Sequence, residues 1–165
     1  MRSVADPAAD AAPMYDMIEL FYFAYRDFVA DADRLLETFG FGRAHHRVLH
    51  FVARHPGLTI AELLDILAIT KQSLNRVLKE LVAQDFIEAR AGAQDRRQRR
   101  LHATAKGEDL ALKLARAQTR RFAAAMRALG PDAKTEAAAF LLEMIDREAR
   151  ERILALIDAP GEARN

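Results

Sequence analysis

Apolar residues recur at helical spacing near the start of the chain. From Met14 to about Phe39 they are separated by three, four or seven positions, at Met14, Met17, Ile18, Phe21, Phe28, Leu35 and Phe39. Tyr22, Phe23 and Tyr25 widen this stripe around the helix. A helix that is apolar on most of its circumference is buried by more than its own subunit, so the pattern predicts a dimer interface.

The middle of the chain predicts three shorter helices and a hairpin. One helix spans 43–54 and ends at His55-Pro56-Gly57. A second helix follows Thr59, which as the N-cap residue forms a capping box with Glu62, three residues later. A third helix follows Thr70. Strands at 86–90 and 99–103 flank a turn at Gly92. This order of elements predicts a winged helix-turn-helix.

Two long helices are expected at the C-terminal end. An alanine-rich helix over 105–129 ends at Gly130-Pro131, and a single helix from about 132 to 157 ends at Pro160-Gly161. The last helix has an apolar stripe that matches the first helix. We therefore expect a dimer interface that includes Met14, Met17, Ile18, Phe21, Ile153 and Leu156.

These elements predict a mainly α fold with a small β-hairpin wing. We expect the N- and C-terminal helices, 14–42 and 108–158, to form a dimerisation region around the winged helix-turn-helix at 43–107, a fold that commonly serves as a DNA-binding domain. We expect residues 1–13 to be a flexible arm and residues 159–165 to be a tail.

Composition excludes several classes of protein. Of 165 residues, 51% are hydrophobic and 30% are charged, which is typical of a soluble globular chain. There is neither a membrane-spanning apolar run nor a secretory signal, so we expect a cytoplasmic protein. The absence of cysteine excludes disulfides and thiolate chemistry. No nucleophile–base pair, metal set or phosphate loop is recognisable, and we expect no enzyme activity.

Charge is distributed unevenly along the chain. The formal net charge is only +1, but residues 70–106 hold nine Lys/Arg and four Asp/Glu, a net of +5, which leaves −4 for the remainder. A hairpin with no binding role would also carry solvated charges, but the arginine-rich hairpin here directly follows a helix-turn-helix. It therefore favours a polyanion as the partner.

The helix after Thr70 has one polar face. Gln72, Asn75, Arg76 and Lys79 lie within about 100° of one another on a helical wheel, opposite Leu74, Val77, Leu78, Leu81 and Val82. Arginine pairs with guanine, asparagine and glutamine with adenine, and lysine with phosphate or guanine. Thr70 and Ser73, at the N-terminus of this helix, suit a phosphate. With Lys71, these residues form the predicted major-groove surface.

The predicted hairpin tip carries Asp95, Arg96, Arg97, Arg99 and Arg100. Arginines enter narrow minor grooves, where the negative potential is deepest. A carboxylate would weaken DNA binding there unless it had a structural role. We expect Asp95 to hold the Arg97 guanidinium in a bidentate pair.

Taken together, these motifs resemble the MarR family (multiple antibiotic resistance regulators). The resemblance rests on Leu58-Thr59, Glu62-Leu63, Thr70-Lys-Gln-Ser-x-Asn-Arg-Val-Leu, and Asp95-Arg96-Arg97 followed by Thr104-x-Lys106-Gly107. It implies a dimeric winged-helix repressor whose Asp95 orients Arg97 for the minor groove. Three positions depart from the family pattern: Ala68 replaces a glycine, Leu64 an alanine and Ala103 a leucine.

Three histidines lie on the predicted helix at 43–54. His45 is expected to face the core, and His46 and His50 lie four residues apart, a spacing that can chelate a metal. No cysteine or neighbouring carboxylate completes such a site, so we favour a structural or ligand-binding role and expect neither metal nor cofactor. The resemblance implies an effector site between the dimer helices and the winged module. Tyr22, Arg26, His45 and His46 are the candidate lining residues.

The preferred hypothesis is a homodimeric, sequence-specific DNA-binding regulator, expected to act as a repressor on a near-palindromic operator and to be released by a small ligand. The alternative is a helical interaction scaffold that has lost DNA binding. The arginine-rich hairpin argues against the alternative, because a scaffold does not need Arg97 beside Asp95.

Overall fold

The structure, a computed structural model, describes residues 12–92 and 95–159. The predicted mainly helical fold with a small wing is confirmed. Most of the predicted arm and tail lie outside the described residues. The elements, in chain order, are α1 Tyr15–Glu37, α2 Arg43–Arg54, β1 Leu58–Thr59, α3 Ile60–Leu67, α4 Lys71–Ala83, β2 Ile87–Ala91, β3 Arg99–Ala103, α5 Ala105–Leu129, α6 Ala133–Glu143 and α7 Arg147–Asp158.

The three strands form one antiparallel sheet in the order β1-β3-β2. In the hairpin, Ala89 lies opposite Leu101 and Arg90 opposite Arg100. The edge strand β1 pairs through Leu58 with Leu101. Sequence reasoning missed β1, because two residues are too few to show the alternation that marks a strand.

One apolar core joins the helix-turn-helix to the sheet. Phe86, at the start of the hairpin, packs edge-to-face against Phe39 and Phe41, with ring centroids 5.2 Å apart in both pairs. Aromatic pairs in this geometry add to the stabilisation from buried area. The α2, α3, α4 and α5 helices contribute Val48, Leu49, Val52, Leu63, Leu74, Val77, Leu81, Leu110 and Leu114.

Helix α1 is buried along only part of its length. Val29, Ala32 and Leu36 of its second half are buried, and Phe28 packs on Phe122 of α5 with centroids 5.0 Å apart. The first half exposes large apolar side chains, among them Ile18 at 61% and Phe21 at 52%. No helix in the described ranges is long and apolar enough to cross a membrane.

The single helix predicted over 132–157 is wrong, since α6 and α7 are separate. Asp146, at the N-cap of α7, has a non-helical backbone conformation, with φ −51° and ψ 129°. The Arg150 guanidinium donates to the carbonyls of Glu143 and Ile145, at 2.8 and 2.9 Å. These bonds satisfy carbonyls that the interrupted helix leaves free, and so stabilise the break.

Candidate nucleic-acid interface

The turn between α3 and α4 positions the candidate reading helix. As predicted, Thr59 and Glu62 form a capping box: the Thr59 N–H donates to the Glu62 carboxylate at 2.8 Å, and the Glu62 N–H to the Thr59 hydroxyl at 3.2 Å. Helix α3 ends at Ala68 in the left-handed conformation, with φ 50° and ψ 43°. This conformation explains why a glycine suits the position, and an alanine there is strained.

Helix α4 presents the predicted polar face to solvent. Lys71, Gln72, Asn75, Arg76 and Lys79 are all exposed. The opposite face is buried at Leu74, Val77, Leu78 and Leu81. Val82, predicted to belong to that buried face, is instead 46% exposed, because it lies at the last turn of α4 where the core ends.

The side chain of Thr70, the residue before α4, caps the N-terminus of this helix. The Thr70 hydroxyl accepts from the Ser73 N–H at 3.2 Å and donates to the Ser73 hydroxyl at 3.0 Å. Capping satisfies one of the N–H groups that lack a partner at a helix N-terminus. Thr70 and Ser73 therefore fix the start of the helix, and their side chains already bond to each other.

The wing exposes several of its arginines. Arg96, Arg97 and Arg99 are exposed, and no acidic side chain in the described ranges forms an ion pair with them. Arg100 differs, since its guanidinium donates to the Gly57 carbonyl at 2.9 Å and ties the hairpin to the turn before β1. The Arg100 guanidinium therefore makes a contact that helps to hold the sheet together.

The predicted bidentate pair between Asp95 and the Arg97 guanidinium is wrong. The Asp95 carboxylate instead accepts from the backbone N–H of Arg97, at 2.9 Å. The Asp95 carbonyl accepts from the Gln98 N–H, at 3.1 Å. An aspartate that bonds the N–H two residues later forms an Asx turn, so Asp95 shapes the loop and does not clamp a side chain.

The Thr104-x-Lys106-Gly107 motif joins the wing to α5. The Thr104 hydroxyl accepts from the Gly107 N–H at 3.0 Å and donates to the Asp85 carbonyl at 2.6 Å. Lys106 lies over the Phe86 ring, 4.2 Å from its centroid. A Cβ on Gly107 would lie 2.0 Å from the Phe86 carbonyl oxygen, so only glycine allows this close approach.

A buried histidine links α2 to α4. His45 is 7% exposed, as predicted, and its Nε2 lies 2.6 Å from the Glu80 carboxylate. The other Glu80 oxygen lies 4.0 Å from the Arg76 guanidinium. Sequence reasoning missed Glu80, because its partner His45 is 35 positions away and only the packing of α2 on α4 brings them together.

A cavity of about 450 Å³ opens between α1, α2 and α5. Of the four candidate ligand residues, only His46 lines it. His45 faces α4, Tyr22 packs on Phe23, and Arg26 pairs with Asp27. The residues that do line it are Tyr25, Phe28, Val29, Arg43, His46, Arg47, His50, Phe51, Ala115, Gln118, Thr119 and Phe122.

Burial is the largest factor that lowers the pKa of both cavity histidines below the usual value. For His46, the charges of His50 and Arg47 lower the pKa further, while Asp33 opposes them. For His50, Arg54 and His55 add to the effect of burial. Both rings are therefore neutral at pH 7. In the described part of the chain, no group of three or more His, Asp or Glu side chains is placed to hold a metal ion.

The capped α4, the basic hairpin and the glycine contact at the wing base define a winged helix-turn-helix DNA-binding protein. A MarR-family sequence profile matches residues 39–98. The HTH-type transcriptional regulator PetP of Rhodobacter capsulatus is 47% identical over 142 residues, which cover 86% of this chain and 86% of PetP. The chain belongs to the MarR family of transcriptional regulators, as its motifs predicted, and neither the family nor the fold is that of an enzyme.

Solved structures agree with this fold. Staphylococcus aureus MepR in its DNA-binding conformation superposes with a TM-score of 0.66 at 22% identity, covering 78% of this chain and 95% of MepR. The transcriptional regulator SlyA superposes with a TM-score of 0.65 at 19% identity, covering 78% of this chain and 91% of SlyA.

Proposed function

We propose that two copies of this chain form a dimeric repressor that reads a near-palindromic operator. The observation that carries the proposal is the polar face of α4, which is exposed beside a hairpin with exposed arginines. Gln72, Asn75 and Arg76 carry the donors and acceptors that read base edges in a major groove. Lys71 and Lys79 supply charge for the phosphates.

Arg96, Arg97 and Arg99 of the wing are proposed to enter the adjacent minor groove. A guanidinium there is attracted by the electrostatic potential of the groove and makes few base-specific contacts. In this proposal, helix α4 sets the sequence preference and the wing adds affinity.

The second copy is proposed to cover the apolar groove between α1 and α6. In the described chain this groove is lined almost entirely by exposed apolar side chains, which water would otherwise contact: Met14, Met17, Ile18, Leu20, Phe21, Ala24, Phe140 and Met144. A contiguous apolar patch of this kind is typical of an interface. On α7, Leu154 and Ile157 are more exposed than the predicted Ile153 and Leu156, so they are the better candidates for contact with the partner.

The cavity between α1, α2 and α5 is proposed as the effector site. Its Phe28, Phe51 and Phe122 rings suit an apolar ligand, while Arg43 and Arg47 suit a polar or anionic group. The cavity touches both α2, which packs on the reading helix, and α1, which carries the proposed interface. A ligand that fits better when these helices shift would favour the released state.

Footprinting of the purified protein on the DNA upstream of its own gene tests the proposal. We expect two protected half-sites related by a dyad, with centres roughly 10 bp apart or a multiple of that. Transcription from this DNA in vitro should fall when the protein is added. Protection of one isolated half-site would contradict the near-palindromic operator, and no binding at all would favour the scaffold alternative. Replacing Ala115, on the cavity wall, with phenylalanine should abolish ligand response and leave DNA binding intact.

A further inference from the structure

Glu80 lies one helical turn after Arg76 on α4 and bonds to a buried side chain of another helix. Its Oε2 is 2.6 Å from His45 Nε2, and its Oε1 is 4.0 Å from Arg76 Nη1. We propose that Glu80 is a positioning residue for DNA recognition: anchored by His45, its carboxylate orients the Arg76 guanidinium toward the base that it reads. The proposal rests on the proposed base-reading role of Arg76.

The anchor is rigid because His45 is held from three sides. Its ring stacks on Phe41, with centroids 4.6 Å apart and planes 13° apart. Its Nδ1 accepts from the Gly42 N–H, at 3.1 Å. A backbone N–H can only donate, so Nδ1 carries no proton and Nε2–H donates to Glu80. One carboxylate oxygen is thereby fixed, which leaves the other directed toward Arg76.

A carboxylate that orients Arg76 has an effect because the Arg76 side chain is 70% exposed. A free arginine samples many rotamers, and that freedom is lost when the side chain pairs with a base. A fixed negative charge near one guanidinium nitrogen reduces the number of rotamers before DNA arrives. The guanidinium has five N–H donors, so the nitrogens that face away from Glu80 still reach a base edge.

Two physical effects of Glu80 have opposite signs. A carboxylate close to DNA repels phosphates, so charge alone predicts that its removal tightens binding. Positioning predicts that removal weakens binding, and only to operators that carry the base read by Arg76. The sign of the change and its dependence on sequence therefore separate the two effects.

The experiment is a double-mutant cycle of wild type, Glu80→Gln, Arg76→Ala and the double variant. Each is titrated, at one salt concentration, on the operator and on operators with the other three bases at the position read by Arg76. Glutamine can still accept from His45 through its amide oxygen, so the link to α2 and the melting temperature should be kept. Glu88→Gln, which removes a charge from the wing strand β2, is the matched control.

We expect Glu80→Gln to weaken operator binding roughly two- to five-fold and to reduce base discrimination at that one position. In the Arg76→Ala background, the same substitution should cause no further loss of affinity, because only the repulsion of phosphates remains to be removed. Glu88→Gln should leave base discrimination unchanged.

Tighter binding, unchanged base discrimination, or an equal loss in the Arg76→Ala background would each overturn the positioning role. A failure of the proposed function is visible separately. If Arg76→Ala alone leaves base preference unchanged, Arg76 reads no base, and both the proposed function of this residue and the role of Glu80 are wrong.

Discussion

The carboxylate of Asp95 accepts a hydrogen bond from the backbone N–H of Arg97, at 2.9 Å. The Gly92 N–H closes the same loop by donating to the Gln98 carbonyl, at 2.8 Å. Together these bonds fix the backbone from which Arg96 and Arg97 project. Asp95 thus acts on the arginines through the main chain.

Replacing Asp95 with alanine should weaken operator binding, even though it removes a negative charge near DNA. The variant lacks the Asx-turn hydrogen bond, and its loss makes the ordered conformation of the loop less stable by about 1 kcal/mol. Asp95→Asn should bind like wild type, because the asparagine oxygen still accepts from the Arg97 N–H. Titrations on operator DNA at one salt concentration measure both variants, with thermal melting as the control.

The two Asp95 variants separate three explanations. Tighter binding by Asp95→Ala would mean that the carboxylate only repels DNA. Equal weakening by both variants would mean that the charge matters, as it would in an ion pair with the Arg97 guanidinium.

Arg97→Ala and Arg76→Ala should have different effects. The wing variant should lose affinity for operator and random DNA alike, with a smaller salt dependence, because the proposed interactions of Arg97 are with the electrostatic potential of the groove and with phosphates. The α4 variant should lose about 1–3 kcal/mol, mainly on DNA that carries the base read by Arg76. Binding isotherms on both DNAs at several salt concentrations check this. An equal loss on specific and random DNA for both variants would contradict it.

Ile18→Asp should prevent assembly of the proposed dimer. The side chain is 61% exposed in the single chain and lies in the α1–α6 groove, so a carboxylate would be buried without a partner in the dimer. Light scattering after size exclusion should show monomer, aggregate or unfolded protein, and DNA binding should be lost. Ala61→Asp, at an exposed position of α3, is the control and should remain dimeric. A stable Ile18→Asp monomer that binds the operator would refute the interface.

Ala68→Gly should stabilise the protein by about 0.5–1 kcal/mol. Alanine is strained at φ 50°, and glycine relieves this strain, although it gives the unfolded chain more freedom. Denaturant unfolding measures the difference. Ala61→Gly, in the same helix but with ordinary helical backbone, should instead destabilise the protein. A loss of stability in Ala68→Gly would show that the turn is not strained.

Stability should fall as pH decreases below about 6.5. The pKa values of His46 and His50 are lowered in the folded chain, mainly by burial, so the unfolded chain takes up protons first. Their contribution is therefore complete above the unfolded pKa and is lost as pH falls through the folded values. The Glu62 pKa is also lowered, from 4.5, by its bonds to Thr59, so its contribution is lost only in more acidic solution.

Melting temperatures between about pH 7.5 and about pH 5 test this pH dependence. The double variant His46→Gln/His50→Gln should show a flatter profile than wild type over this range. An unchanged slope in the variant would assign the dependence to other groups.

Local chemistry explains which elements could be predicted from sequence. Thr70 and Thr104 mark the starts of α4 and α5, because a threonine hydroxyl at the N-cap accepts from a free N–H of the first turn. The break before α7 was missed because the apolar spacing continues across it. Only the bonds of Arg150 to preceding carbonyls show where the helix stops.

The partners of individual side chains were harder to predict than the elements. The Asp95 carboxylate could accept from either the main chain or the guanidinium of Arg97, and composition does not choose between them. His45 and Glu80 come together only when α2 packs on α4. The proposed DNA-binding surface was thus visible as a pattern, whereas the contacts that hold it required the packed structure.

The close approach of Gly107 to the Phe86 carbonyl joins the first turn of α5 to the base of the wing. The remaining length of this 25-residue helix then works as a lever of roughly 32 Å, whose far half lies against α1. A tilt of about 5° displaces the end of such a lever by roughly 3 Å, close to the rise of one base pair. In the proposed dimer, a small repacking between subunits would thus bring the two reading helices out of register with the operator.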